Sequence, residues 1–194
     1  MSSFQTLAKS SESLYKEKGS KFIAYAFPIN AVEDSKVCLE KVQAIHPKAR
    51  HFCSALLLGL NDAEYFLTND DGEPSNSAGA PILGQIRSHK ITNVYMVVVR
   101  YFGGTKLGVG GLISAYKIAA SQAIENNKII THQIEKTLEF EVDYTLLGDI
   151  LAVIDKNNLK VEMENLATKA IVKVIVAEEK LEQTKALFER FNLG

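Results

Sequence analysis

The run Val94-Tyr95-Met96-Val97-Val98-Val99-Arg100-Tyr101-Phe102 opens straight into Gly103-Gly104-Thr105-Lys106-Leu107-Gly108-Val109-Gly110-Gly111, and this junction constrains the fold more than any other stretch. A strand that is apolar at both odd and even positions must be covered on both faces, because successive side chains point to opposite sides. Its β-branched valines favour the extended state. The chain therefore needs a central strand with layers above and below it. Glycines end that strand, and Leu112, Ala115, Tyr116, Ala119, Ala123 and Ile124 then recur at helical spacing until Asn126 and Asn127.

The residues before this junction supply neighbours. Residues 20–27 read as a strand, entered through a Lys18-Gly19 turn from an extended stretch at 12–17 and closed by Pro28. Asn30 followed by Glu33 predicts a capped helix with Val32, Ser35, Cys38, Val42 and Ile45 on one face, stopped by Pro47. In residues 50–58, His51, Cys53, Ala55 and Leu57 share one strand face while Phe52, Ser54, Leu56 and Leu58 share the other. A turn at 59–63, a return strand at 64–67 and a polar loop at 68–77 come next. A short helix then places Pro81 in its first turn and Ile82, Leu83 and Ile86 inward, ending near His89 or Lys90.

Beyond residue 130 the periodicity describes a separate unit. Leu138, Phe140 and Val142 alternate with acids; Leu146, Leu147, Ile150, Leu151 and Ile154 make a helical stripe. Leu159, Val161 and Met163, then Val172, Val174 and Val176, alternate again, and Leu181, Thr184, Leu187, Phe188 and Phe191 line a last helix. The order β-α-β-β-α is the ferredoxin-like plan short of its final strand, since only Asn192, Leu193 and Gly194 remain. The expected architecture is α+β with two domains, residues 1–135 and 136–194.

Charge and composition exclude several classes. The net charge of -1 rules out a basic coat of the kind that drives non-specific nucleic-acid binding. It is an average: residues 1–135 hold 14 Lys and Arg against 12 Asp and Glu, or +2, and residues 136–194 hold 8 against 11, or -3. No run approaches the roughly 20 apolar residues of a membrane span, and the first residues carry no secretory apolar stretch, so a cytoplasmic protein without membrane contact is expected. Cys38 and Cys53 are too few for a disulfide framework or a cysteine-built zinc site.

Three segments invite chemistry. Gly103, Gly104, Gly108, Gly110 and Gly111 remove Cβ atoms, so backbone N–H groups could form an anion nest ahead of a helix N-terminus, with Arg100 and Lys106 supplying charge. The spacing matches neither a P-loop nor a dinucleotide fingerprint. Tight turning and close helix packing explain the same glycines. The loop Asn69-Asp70-Asp71-Gly72-Glu73-Pro74-Ser75 concentrates three carboxylates, which read either as an Mg²⁺ or acid/base cluster or as turn and cap chemistry, with Glu73 pairing with Arg100 or Lys106. His51 and Cys53 share a strand face but make too few ligands for zinc, and a mid-strand thiol does not point to a nucleophile. No cofactor, metal or catalytic residue is called for.

The quoted segments together resemble a known family. Asp70-Asp71-Gly72-Glu73-Pro74-Ser75, Ala78-Gly79, Pro81-Ile82-Leu83, Val97 through Gly108, Gly110-Gly111-Leu112 and Ala115-Tyr116 are similar to the signature of the IMPACT family, in its bacterial YigZ-like branch. Ser20-Lys21-Phe22-Ile23 and His51-Phe52-Cys53 sit where that family has similar residues. The resemblance covers about residues 15–125, and the remaining unit resembles the C-terminal domain of bacterial members. It implies an N-terminal β-α domain of the ribosomal-protein and translation-factor type and a C-terminal domain like the last domain of elongation factor G. Eukaryotic relatives regulate translation under stress through a partner protein, and no catalytic residue carries over. The chain departs from the pattern at Asn76-Ser77, where members often show Gly-Thr; Asn tolerates left-handed geometry, so the loop shape is expected to survive.

The functional expectation is a translation-associated regulator that binds RNA or a ribosome-associated protein through the glycine-rich loop. Two alternatives stand beside it. One is an enzyme acting on a small phosphorylated substrate where the acidic and glycine loops meet; the other is a protein-interaction module with no ligand.

Overall fold

The apolar run in the middle of the sequence becomes the middle of a sheet. The structure is a computed structural model that describes residues 3–191. It divides into one unit spanning Phe4–His132 and a second formed by Ser3 together with the described residues from Gln133 to Phe191. The architecture is α+β throughout.

In the first unit, β2 (Ser11–Glu17), β3 (Ser20–Pro28), β4 (His51–Leu58), β5 (Tyr65–Asn69) and β6 (Val94–Tyr101) form a five-stranded sheet in the order β2-β3-β6-β4-β5. Every neighbouring pair is antiparallel. The helices are α1 (Asp34–Ile45), α2 (Gly79–Ser88) and α3 (Gly108–Glu125). Along β6, Val94, Met96 and Val98 share a core with Ile82 and Ile86 of α2 and with Leu112, Tyr116 and Ala119 of α3. Tyr95, Val97 and Val99 share the opposite core with Val42, Cys38 and Leu39 of α1. Both cores meet on this one strand.

Helix α3 lies close because its inward stripe is largely alanine: Ala115, Ala119, Ala120 and Ala123 are buried. Small side chains let polar groups tie the helix to the edge strand. The Ser13 hydroxyl donates to the Ala119 carbonyl at 2.8 Å and that of Ser11 to the Ala123 carbonyl at 2.6 Å. Asn126 and Asn127, expected only to close the helix, also reach back, their amides donating to the carbonyls of Glu12 and Lys9.

Three local expectations need correction. The first helix starts at Asp34, not at Asn30, because Asp34 Oδ2 accepts the backbone N–H groups of Asn30 and Ala31 and fixes residues 30–33 as a turn. Helix α3 starts at Gly108, so Gly108, Gly110 and Gly111 form its first turn rather than a loop before it. Finally, β1 (Ser3–Leu7) pairs with β7 (Ile129–Gln133) in a two-stranded ribbon that short apolar runs do not announce.

The second unit holds β8 (Glu135–Asp143), α4 (Tyr144–Lys156), β9 (Lys160–Asn165), β10 (Lys169–Ala177) and α5 (Leu181–Phe188). Its sheet runs β8-β10-β9, antiparallel throughout, which is the ferredoxin-like order without its fourth strand among the described residues. Asn192, Leu193 and Gly194 lie outside them. Val172 and Val174 of the central strand pack with Leu138, Ile150, Ile154 and Phe188.

One close approach fixes the exit from β6. A Cβ on Gly103 would lie 1.9 Å from the Gly19 carbonyl carbon and 2.1 Å from the Ser20 nitrogen, whereas a Cβ on Gly110 would meet nothing within 4 Å. Gly103→Ala is therefore expected to cost about 3 kcal/mol or more, and Gly110→Ala to add about 0.5–1 kcal/mol by removing a helical glycine. Urea unfolding of the two variants measures both signs.

Candidate functional site

Alternation along β6 carries one more side chain toward the α2/α3 face after Val98, and it is Arg100. Its Cα partners are Phe22 on β3 and His51 on β4. A guanidinium at the end of an apolar row must find a counter-charge, since an unpaired buried charge costs several kcal/mol. Glu73 provides it. Arg100 Nη1 donates to Oε1 at 2.6 Å and Oε2 at 2.9 Å, with the two side chains 8% and 4% exposed. The Arg100 charge also lies 5.6 Å from the centres of the Phe22 and Phe102 rings.

The carboxylate has a second buried donor. Tyr116 Oη on α3 donates to Glu73 Oε1 at 2.8 Å, and the Cys53 thiol on β4 lies 3.2 Å from Tyr116 Oη and 3.0 Å from the Asp70 carbonyl oxygen. Burial pushes the Cys53 thiol up to about 12, opposed only in part by the Tyr116 hydrogen bond. Burial likewise drives the Tyr116 phenol far above its ordinary value. Cys53 is thus a protonated structural thiol.

The acidic loop is wound around this cluster, and all three carboxylates have internal partners. Asp70 Oδ1 accepts from the Ala78 and Gly79 N–H groups at 2.9 and 2.8 Å, and Oδ2 accepts from Asn76 at 2.7 Å. That caps α2 from eight residues upstream. Asp71 Oδ2 accepts from the Phe52 N–H at 2.6 Å, and the Asp71 carbonyl oxygen lies 2.8 Å from His51 Nδ1. Asn76 takes a φ of 59°, the left-handed geometry expected of it. Ser75 is exposed, its Oγ 3.4 Å from the Asn76 amide. The Mg²⁺ reading of this loop needs carboxylates that converge on one point. Here they diverge, and among the described residues no group of three His, Cys, Asp or Glu side chains could hold a metal.

The glycine segment divides in two. Gly103 packs on Gly19, and its N–H donates to Ser20 Oγ at 3.1 Å. Gly104, Gly108 and Gly110 face open space, Lys106 is exposed, and the first turn of α3 contains no acidic residue. Gly111 meets the Leu107 side chain. Arg100, expected beside Lys106 as a phosphate ligand, instead has its charge balanced by Glu73.

Sequence reasoning misses one grouping. Lys48, Arg50, His51, Arg100, Tyr101 and Phe102 line a cleft of about 280 Å³ where β4 begins and β6 ends. Lys48, Arg50 and Phe102 are exposed. The signal is the basic turn Pro47-Lys48-Ala49-Arg50, which reads as ordinary solvated loop until the antiparallel register brings it beside Phe102.

Comparison with known proteins bears on the whole constellation. Residues 18–124, which include every residue of the buried cluster, match the family model described as Impact N-terminal domain. The chain belongs to the IMPACT family. IMPACT family member YigZ of Escherichia coli is 33% identical over 180 residues, covering 91% of this chain and 87% of its own. IMPACT family member YvyE of Bacillus subtilis is 34% identical over 148 residues, covering 76% and 68%. A solved structure titled as that of a hypothetical protein superposes with a TM-score of 0.79 at 30% identity, covering all of this chain and 96% of that one. The IMPACT chain thus resembles relatives across both of its units.

Two consequences of the cluster are measurable. Glu73→Gln leaves the Arg100 guanidinium buried without a counter-charge and should cost about 3–5 kcal/mol, read from the urea midpoint at pH 7. The folded Cys53 thiol keeps its proton up to about pH 12, whereas its ordinary value is 9.0. Above that ordinary value the folded state binds more protons than the unfolded one, so stability falls by about 1.4 kcal/mol per pH unit toward the folded value. Cys53→Ala should flatten that decline between pH 9 and 10, measured by denaturant titration.

Proposed function

We propose that this chain is a cytosolic regulator associated with translation, and that it contacts RNA through the open half of its glycine segment. The observation that carries the reading is the juxtaposition of exposed Lys106 with the open Gly104 and Gly108 and the uncapped first turn of α3. An 18-residue helix presents partial positive charge and unpaired N–H groups at that end, which suits phosphate oxygens. Membership of the IMPACT family supports the link to translation that the sequence resemblance implies. No described helix is long and apolar enough to cross a membrane.

The enzyme reading is less favoured. Glu73 and Arg100, the groups it would use, neutralise one another in a buried pair, and Asp70 and Asp71 hold backbone N–H groups.

A contact of this kind is mainly to phosphates, so it tolerates sequence and weakens with salt. Titrating a labelled single-stranded RNA at several KCl concentrations should show affinity falling with salt. Lys106→Ala should weaken binding and lower the salt slope by about 0.7, the value of one single-strand phosphate contact. Equal affinity of the two proteins, or binding indifferent to salt, rejects the proposal.

A further inference from the structure

The cleft lined by Lys48, Arg50, His51, Arg100, Tyr101 and Phe102 has a chemistry the glycine segment lacks, because it combines cations with an exposed aromatic face. Phe102 is 57% exposed although it directly follows a buried strand, and apolar packing does not account for it. The guanidinium of buried Arg100, anchored on Glu73, lies 5.6 Å from the Phe102 ring centre, within cation–π range. Arg100 spends only Nη1 on Glu73, and its Nε is buried with no hydrogen-bond partner. Lys48 and Arg50 are exposed and form no ion pair among the described residues. Among those residues, the only carboxylate ion-paired with a side chain lining the cleft is Glu73, already balanced by Arg100. The site is thus cationic at its mouth and aromatic at one wall.

That pairing fits a ligand carrying a phosphate and a planar ring on a flexible link, which is one nucleotide of an unpaired strand. We propose that the cleft binds a nucleotide unit of single-stranded RNA, with Lys48 and Arg50 on the phosphate and the base stacked on Phe102. The choice of RNA over DNA rests on the translation-associated reading; the stacking and charge do not. A duplex is excluded by the same geometry, since paired bases offer no free face to Phe102.

The test is fluorescence anisotropy of a labelled octauridylate, with matched DNA, a matched RNA duplex and unlabelled uridine monophosphate as separate arms. Phe102→Leu should weaken octauridylate binding about ten-fold at constant salt slope, because stacking is not a counterion effect. Arg50→Ala and Lys48→Ala should each reduce the slope by about 0.7. All three positions are exposed, and unchanged melting temperatures confirm that folding is intact. Wild-type affinity in Phe102→Leu, or equal binding of the duplex, overturns the proposal. Displacement of octauridylate by an equal concentration of uridine monophosphate overturns it in favour of a free nucleotide, and tighter binding of DNA overturns the choice of RNA. A loss with Lys106→Ala but none with Phe102→Leu rejects the cleft while leaving the glycine-segment reading standing.

Discussion

The buried pair between Arg100 and Glu73 is the interaction on which the rest of the first unit depends. Neither charge is tolerable alone at that depth, so their meeting dictates where the acidic loop must run. Once Glu73 is drawn under the helices, Asp71 falls beside the start of β4 and Asp70 beside the start of α2. Each carboxylate then satisfies backbone donors that would otherwise be orphaned. Tyr116 and Cys53 extend the same network onto α3 and β4. Two strands, one loop and two helices are fixed together by a few polar side chains, and the groups that look most reactive in the sequence serve to hold the fold.

That assignment moves the open chemistry outward. Arg100 has its charge balanced by Glu73, while the side chains of Lys48, Arg50 and Lys106 are exposed. In the second unit Phe140 lies 5.0 Å from Phe188 in the core, and Tyr144, though exposed, commits its hydroxyl to the Leu166 carbonyl. The exposed sheet face there carries cross-strand pairs such as Lys173 with Glu139 and Lys169 with Glu141. Such a face offers a base nothing to stack on. The near-zero net charge of the chain therefore conceals a first unit with a cluster of cations where β4 begins and β6 ends.

How much of this is legible in the sequence depends on the range of each interaction. Strand β6 and helix α3 are readable because their burial is written in a local period, and so is the β-α-β-β-α order of the second unit. The start of α1 is misread because Asp34 Oδ2 takes the N–H groups of Asn30 and Ala31, a choice that depends on the turn's geometry and not on residue type. The glycines at 108, 110 and 111 point to a loop by propensity, yet packing of Leu112, Ala115 and Tyr116 draws the helix back over them. Glu73 is a candidate partner for either Arg100 or Lys106, and only the sheet register, which turns Arg100 inward, separates the two. The cleft is invisible because its residues lie about fifty positions apart and meet through antiparallel pairing.

The ribbon of β1 and β7 bears on how such a unit travels between chains. The strand by which the polypeptide enters the first unit is hydrogen-bonded to the strand by which it leaves. Entry and exit are neighbours, so grafting the unit onto another protein, or exchanging the module attached at its exit, requires no stretching of its core. Evolution can swap the appended module while the Arg100 network stays intact, because none of the network's residues lies on that ribbon.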